Sequence, residues 1–200
     1  MNSISIHNLT HTIEDRTILK NISLSIPKGQ CVMITGHNGS GKSTLLKLIQ
    51  EGHPDIDKAG KSVILHQNIN DNLFCGLTIL ENFQLFCGKR SVNKIYSTIQ
   101  QYLSRFKSKP SPYTTVSRLS GGERQRLALY MRLMMKSDIL LLDEFTSALD
   151  PETTLLLMDE VIDLTKEQNM TVILVTHDLS LIKSRSGFMR VEIENGKLFH

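Results

Sequence analysis

The sequence predicts an α/β fold built on a mostly parallel sheet, and three observations carry that expectation. Cys31 to Ile34, Ile139 to Leu142 and Val172 to Val175 are short and wholly apolar, as strands buried on both faces are. The first of these runs into a glycine-rich stretch, Gly36 to Gly41, followed by Leu45, Leu46, Leu48 and Ile49 at helical spacing, which is a strand, loop and helix unit. An apolar content of 40% over 200 residues gives enough buried surface for a single domain.

Taken in order, Ser3 to Ile6 and Ile22 to Ile26 alternate apolar and polar residues like half-buried strands, and Pro27-Lys28-Gly29 turns the chain into the first buried run. From about Asn68 to Arg118 the spacing becomes helical, with Leu80, Phe83, Leu85 and Phe86, then Ile95, Ile99, Tyr102 and Leu103. We expect a helical subdomain over 68–118, inserted between the 1–67 and 119–200 parts of one core. Lys107 to Pro112, with two prolines, is the expected return loop. Leu127, Ala128, Met131 and Met134 mark a further helix, and Asp150-Pro151 supplies an N-cap and first-turn proline to another, bearing Leu155, Met158 and Ile162.

Composition excludes several classes. The 23 basic and 20 acidic residues leave a net charge of +3 without a sustained basic block, so nucleic acid is not an expected partner. Cys31, Cys75 and Cys87 have neither C-x-x-C spacing nor an even number, so neither a disulfide framework nor a zinc site is indicated. No apolar run approaches the ~20 residues of a membrane span, and the start lacks the pattern of a signal peptide. The expectation is a cytoplasmic protein with no direct membrane insertion.

The chemistry is concentrated in a few motifs. Gly36-His37-Asn38-Gly39-Ser40-Gly41-Lys42-Ser43, followed by Thr44, matches G-x-x-x-x-G-K-[ST] in the required context between a strand and a helix. Glycines expose backbone N–H groups to phosphate oxygens, the helix N-terminus adds its dipole, and Lys42 and Ser43 serve the outer phosphates and Mg2+. Such a loop indicates a nucleoside triphosphate without distinguishing GTPases, kinases and motor ATPases. Ile139 to Glu144 ends a buried strand in two carboxylates, the Walker B arrangement, in which Asp143 belongs to the Mg2+ shell and Glu144 polarises water. Leu119-Ser120-Gly121-Gly122-Glu123 opens a helix as an S-x-x-E capping box; capping alone does not call for Gly121 and Gly122, whereas an anion docking on bare N–H groups does.

Together, GHNGSGKST, Gln67, LSGGE, ILLLDE, the SALD of Ser147, Ala148, Leu149 and Asp150, and His177 after VILVT stand in an order that resembles the ATP-binding subunit of ABC transporters over essentially the whole chain. The resemblance implies a P-loop NTPase core with a small β-subdomain, ATP and Mg2+ as ligands, and hydrolysis of ATP to ADP and phosphate. It implies that Gln67 contacts the metal and attacking water, that Leu119 to Glu123 are the signature facing the ATP of a partner chain, that Ser147 to Asp150 are the D-loop, and that His177 lies near the γ-phosphate. Two copies, or one copy and a second ATPase subunit, would enclose two Mg·ATP head to tail and drive a separate membrane-embedded permease from the inner face of the cell membrane. A soluble ATPase serving a cytosolic assembly scaffold is the alternative. Departures are Ile13 where an aromatic residue for adenine is usual, Glu123 for a commoner glutamine, Phe145 for a frequent proline, and a short stretch between Lys42 and Gln67 that implies a reduced β-subdomain.

Overall fold

The computed structural model describes residues 1–87, 92–104, 108–135, 137–147, 149–177 and 187–199. Strands β1 (Asn2–Ile13) and β2 (Arg16–Pro27) form a long antiparallel hairpin, turned by Glu14 and Asp15 at φ 44° and 62°, the positive values that suit a tight hairpin turn. Both strands run beyond the alternating segments of the sequence. Register shifts between Ile6 and Leu9 and between Leu9 and His11 break the two-residue period that would have marked the rest of β1. Strand β4 (Ile56–Lys58) joins β1 to complete a sheet in the order β2-β1-β4.

The main sheet has six strands in the order β5-β6-β7-β3-β8-β9: β5 (Ser62–Leu65), β6 (Ile139–Asp143), β7 (Thr171–Val175), β3 (Cys31–Thr35), β8 (Phe188–Glu194) and β9 (Lys197–Phe199). All pairings are parallel except β8 with β9. β3 and β7 are buried along their whole lengths, as their unbroken apolar runs require. Between β3 and β4 lies α1 (Lys42–Glu51). Helices α2 (Ile79–Cys87), α3 (Val92–Leu103) and α4 (Gly121–Met134) stand between β5 and β6, and α5 (Pro151–Gln168) connects β6 to β7.

Alternate residues of the central strands enter two cores. Val32, Ile34, Leu141, Ile173 and Val175 pack with α1 and the β1/β2 hairpin. Met33, Leu65, Leu140, Leu142, Val172 and Leu174 pack with α4, α5 and the inserted helices, whose Ile79, Phe83, Ile99 and Leu103 belong to the same apolar cluster. The parallel arrangement brings the C-terminal ends of β3, β5, β6 and β7 to one edge, where open α/β sheets bind ligands. Within two residues of those four strand ends come the start of the phosphate loop, Gln67, Glu144 and His177.

Candidate nucleotide site

The turn out of β3 demands glycine at two points. Gly36 has φ 146°, and a Cβ there would lie 2.2 Å from the carbonyl oxygen of Ile193; Gly41 has φ 105°, and its Cβ would meet Leu19 Cδ2 at 2.7 Å. Gly41 is the N-cap of α1, with no side-chain cap and no acidic residue in the first turn. The N–H groups and dipole of that helix are thus left for a ligand. Ser40 Oγ, buried inside the loop, has no hydrogen-bond partner among the described residues. His37, exposed on the loop, places Nδ1 2.9 Å from the carbonyl oxygen of Asn38.

Lys42 is buried, and its Nζ donates to the carbonyl oxygens of Gly36 and His37, both at 2.9 Å, while lying 3.7 Å from Glu144 Oε1. Ser43 Oγ donates to Asp143 Oδ1 at 2.9 Å. Burial pushes the Asp143 carboxyl above its ordinary range; the Ser43 hydroxyl opposes that rise, and the neighbouring Glu144 adds to it. A carboxylate held under this penalty beside a hydroxyl is a hard oxygen donor set suited to Mg2+.

Glu144 leaves β6 at φ 43°, a left-handed conformation unusual for a side-chain-bearing residue, with its N–H donating to the carbonyl of Val175 at 3.0 Å. Its Oε2 accepts from Gln67 Nε2 at 3.2 Å and lies 3.2 Å from His177 Nδ1. Residues far apart in the chain therefore meet around one carboxylate. A cleft of about 490 Å3 opens here, lined by Asn38, Gly39, Gly41, Lys42, Ser43, Thr44, Gln67 and Glu144, with Arg16 and Ile18. Ile13 does not line it: it sits at the hairpin tip, 46% exposed and paired with Arg16. Arg16 and Ile18 carried no signal in the sequence, because only the packing of β2 against the phosphate loop brings them there.

The second motif group forms a different place. Ser120 is the N-cap of α4 and Glu123 completes the capping box, its Oε2 accepting from the Ser120 N–H at 2.8 Å. Burial raises the Glu123 carboxyl, but hydrogen bonds from the Ser108 hydroxyl and from Ser120, with the charge of Arg126, bring it below the ordinary range. Leu119 is buried in the core. Asp150 caps α5, accepting from Thr153 N at 2.9 Å, and the Ser147 N–H donates to the Glu144 carbonyl at 3.0 Å. Ala148 lies outside the described residues. Ser120 to Glu123, Arg126, Leu149, Asp150 and Thr153 line a cleft of about 740 Å3 that shares no lining residue with the first. A Cβ on Gly122 would press Thr153 Cγ2 at 2.8 Å, whereas one on Gly121 would meet nothing within 4 Å.

A strand-end phosphate loop, a seryl and aspartyl oxygen pair and a carboxylate gathered by glutamine and histidine are the parts that hydrolysis of a nucleoside triphosphate calls for. The model of the ABC transporter family matches residues 19–147. The chain is 33% identical over 206 residues to the energy-coupling factor transporter ATP-binding protein EcfA of Pediococcus pentosaceus, an alignment covering 90% of this chain and 71% of the relative. It is 33% identical over 218 residues to the glutamine transport ATP-binding protein GlnQ of Bacillus subtilis, covering 98% and 88%. With the methionine import ATP-binding protein MetN 4 of Oceanobacillus iheyensis it shares 30% identity over 219 residues, 98% of this chain and 63% of that one. Among solved structures, cbiO1 of Clostridium perfringens, described as part of the ABC transporter complex cbiONQ, has the same fold, with a TM-score of 0.86 at 22% identity over 100% of this chain and 87% of that one. The protein belongs to the ABC transporter family as an ATP-binding subunit, an ATPase that drives transport.

Proposed function

We infer that this chain binds Mg·ATP in the phosphate-loop cleft and hydrolyses it in a head-to-tail pair, with the signature of one chain closing over the nucleotide of the other. The observation that carries this reading is the separation of the two clefts: Glu144, Gln67, Ser43 and the phosphate loop line one, and Ser120 to Glu123 line another. A single chain has nothing of its own signature lining its nucleotide cleft. Gly121 adds support, since the fold has room for a side chain there and its absence leaves a surface that a ligand outside the chain can approach.

In this reading the loop N–H groups and Lys42 hold the outer phosphates. Ser43 and Asp143 would hold Mg2+, which would neutralise phosphate charge. Glu144 accepts the proton of the attacking water as its oxygen bonds to the γ-phosphorus and ADP departs. Gln67 and His177, each 3.2 Å from Glu144 Oε2, fix where that carboxylate points and so where the water sits. Phosphoryl transfer depends on positioning and charge more than on covalent chemistry, and this arrangement supplies both.

The partner we propose is an integral membrane permease at the inner face of the cell membrane. Among the described residues no helix is long and apolar enough to cross a membrane. Phe74, Leu85 and Tyr113, more than half exposed, put apolar surface on the inserted helical region where a partner can cover it. Extraction of membranes with detergent and capture of the tagged chain tests this. Recovery with a polytopic membrane protein is expected; recovery only from the cytosolic fraction, with a soluble assembly scaffold, would overturn the permease reading.

A further inference from the structure

Helix α4 begins at the signature and ends on the loop that carries Gln67. Ser120 caps its first turn, and Arg132, about 18 Å further along at 1.5 Å per residue, lies in its last. Arg132 is buried without an ion pair to a carboxylate among the described residues, and burial holds its guanidinium below the ordinary pKa. Its Nε donates to the Ile64 carbonyl of β5 at 2.8 Å, its Nη2 donates to Asn72 Oδ1 at 3.2 Å, and its guanidinium lies 5.0 Å from the Phe86 ring centre. Nη1 is buried with no hydrogen-bond partner among the described residues. The nucleotide chemistry described above uses neither Arg132 nor Asn72, yet both are enclosed and polar.

Asn72 is fully buried and saturated. Its Nδ2 donates to the carbonyls of His66 at 2.7 Å and Asn68 at 2.9 Å, and its Oδ1 accepts from the His66 N–H at 3.0 Å as well as from Arg132. One side chain thus grips the backbone on both sides of Gln67, and Gln67 Nε2 in turn reaches Glu144 Oε2. An Asn with all its valences used fixes a loop far more narrowly than apolar packing does, because any shift leaves a buried polar group unpaired.

We propose that Asn72 and Arg132 are positioning residues that tie the Gln67 loop to the far end of the signature helix, so that Gln67 reaches Glu144 only when α4 is seated. A nucleotide docked on Ser120 to Glu123 would then influence the water-positioning group of the same chain through one rigid helix. The idea rests on the reading of Gln67 given above. A displacement of about 1 Å at such a group is enough for large losses of rate, while nucleotide binding, made elsewhere in the cleft, is spared.

The test is a pair of double-mutant cycles in the full chain, measuring kcat and KM for ATP together with melting temperature. Asn72→Ala and Arg132→Met are each made with Gln67 present and with Gln67→Ala. With Gln67 present, we expect kcat to fall about fivefold or more and KM to change less than about twofold. With Gln67→Ala, neither change should lower kcat further, since the group they position is gone. A loss of rate equally large in both backgrounds would show a general structural role and overturn the proposal, as would an unchanged kcat in folded Asn72→Ala and Arg132→Met. Should Asn72→Ala fail to fold, Arg132→Met, which leaves the Asn72 contacts to 66 and 68 in place, decides alone. Gln67→Ala by itself separates the two readings: full activity in that variant refutes the role of Gln67, whatever Asn72 does.

Discussion

The N-termini of α1 and α4 are both glycine-bearing, and the proposed function has both face phosphate, yet they are built in opposite ways. α1 starts from Gly41 with no side-chain cap, no acid in its first turn and a buried Ser40 hydroxyl that has no partner among the described residues. α4 is closed by a complete capping box in which Ser120 and Glu123 satisfy one another's groups. The first depends on a ligand for its missing partners; the second is stable without one. This difference fits the proposed division of labour, in which α1 binds the nucleotide of its own chain, while α4 must remain an ordered surface when the opposing chain has moved away.

The largest effect expected at the α1 end concerns Glu144. Glu144→Gln preserves size and the contacts to Gln67 and His177 but cannot take the proton, so hydrolysis should fall by at least ~100-fold while ATP still binds. Turnover near wild type, measured by phosphate release, would mean that another group activates water. Lys42→Ala removes the buried cation of the loop and should abolish tight Mg·ATP binding in equilibrium titration; ordinary affinity would remove the loop from the account.

At the α4 end the two glycines should behave differently. Gly122→Ala drives a methyl to 2.8 Å from Thr153 Cγ2 and should lower stability by about 1–3 kcal/mol in denaturant unfolding, as overpacking does. Gly121→Ala meets nothing in its own chain and should leave unfolding unchanged or slightly improved, yet slow ATP hydrolysis. If Gly121→Ala hydrolysed ATP normally, the open surface at that position would have no partner.

The smallest expected effect follows from Asp143. Its carboxyl is raised above 3.8 by burial, so the folded chain holds the proton more tightly than the unfolded chain and is penalised at pH values above the raised pKa. Asp143→Asn should therefore melt higher than wild type at neutral pH without nucleotide, and the gap should close as pH falls through the raised pKa towards 3.8. A gap that widened on acidification would reverse the sign of the burial effect.

Much of the nucleotide cleft was legible because its residues follow buried strands whose apolar runs are unmistakable, and the topology then gathers those strand ends at one edge. Asp150 and Ser120 were legible as caps because capping is local chemistry, and the structure gives both that role. Arg16 and Ile18 were not, since their place in the cleft depends on where β2 packs, and Ile13 drew attention by its position in the sequence while the hairpin tip carries it to solvent. Asn72 and Arg132 were equally silent, because an asparagine before Leu73 and an arginine late in a helix acquire meaning only when α4 and β5 come together. The far half of β1 was hidden by bulges that disrupt its alternation.

The central claim is that one ATP is handled by the phosphate loop of one chain and the signature of another. It is tested most directly by mixing Lys42→Ala chains with Ser120→Arg chains, each expected to be inactive alone, and following ATP-dependent dimer closure alongside hydrolysis. The head-to-tail arrangement predicts that this mixture forms hybrids containing one intact site, which close on ATP, whereas chains carrying both changes paired with wild type contain none. Closure and activity in the hybrid of doubly changed and wild-type chains, with neither in the complementary mixture, would place the signature over its own chain's nucleotide and contradict the account.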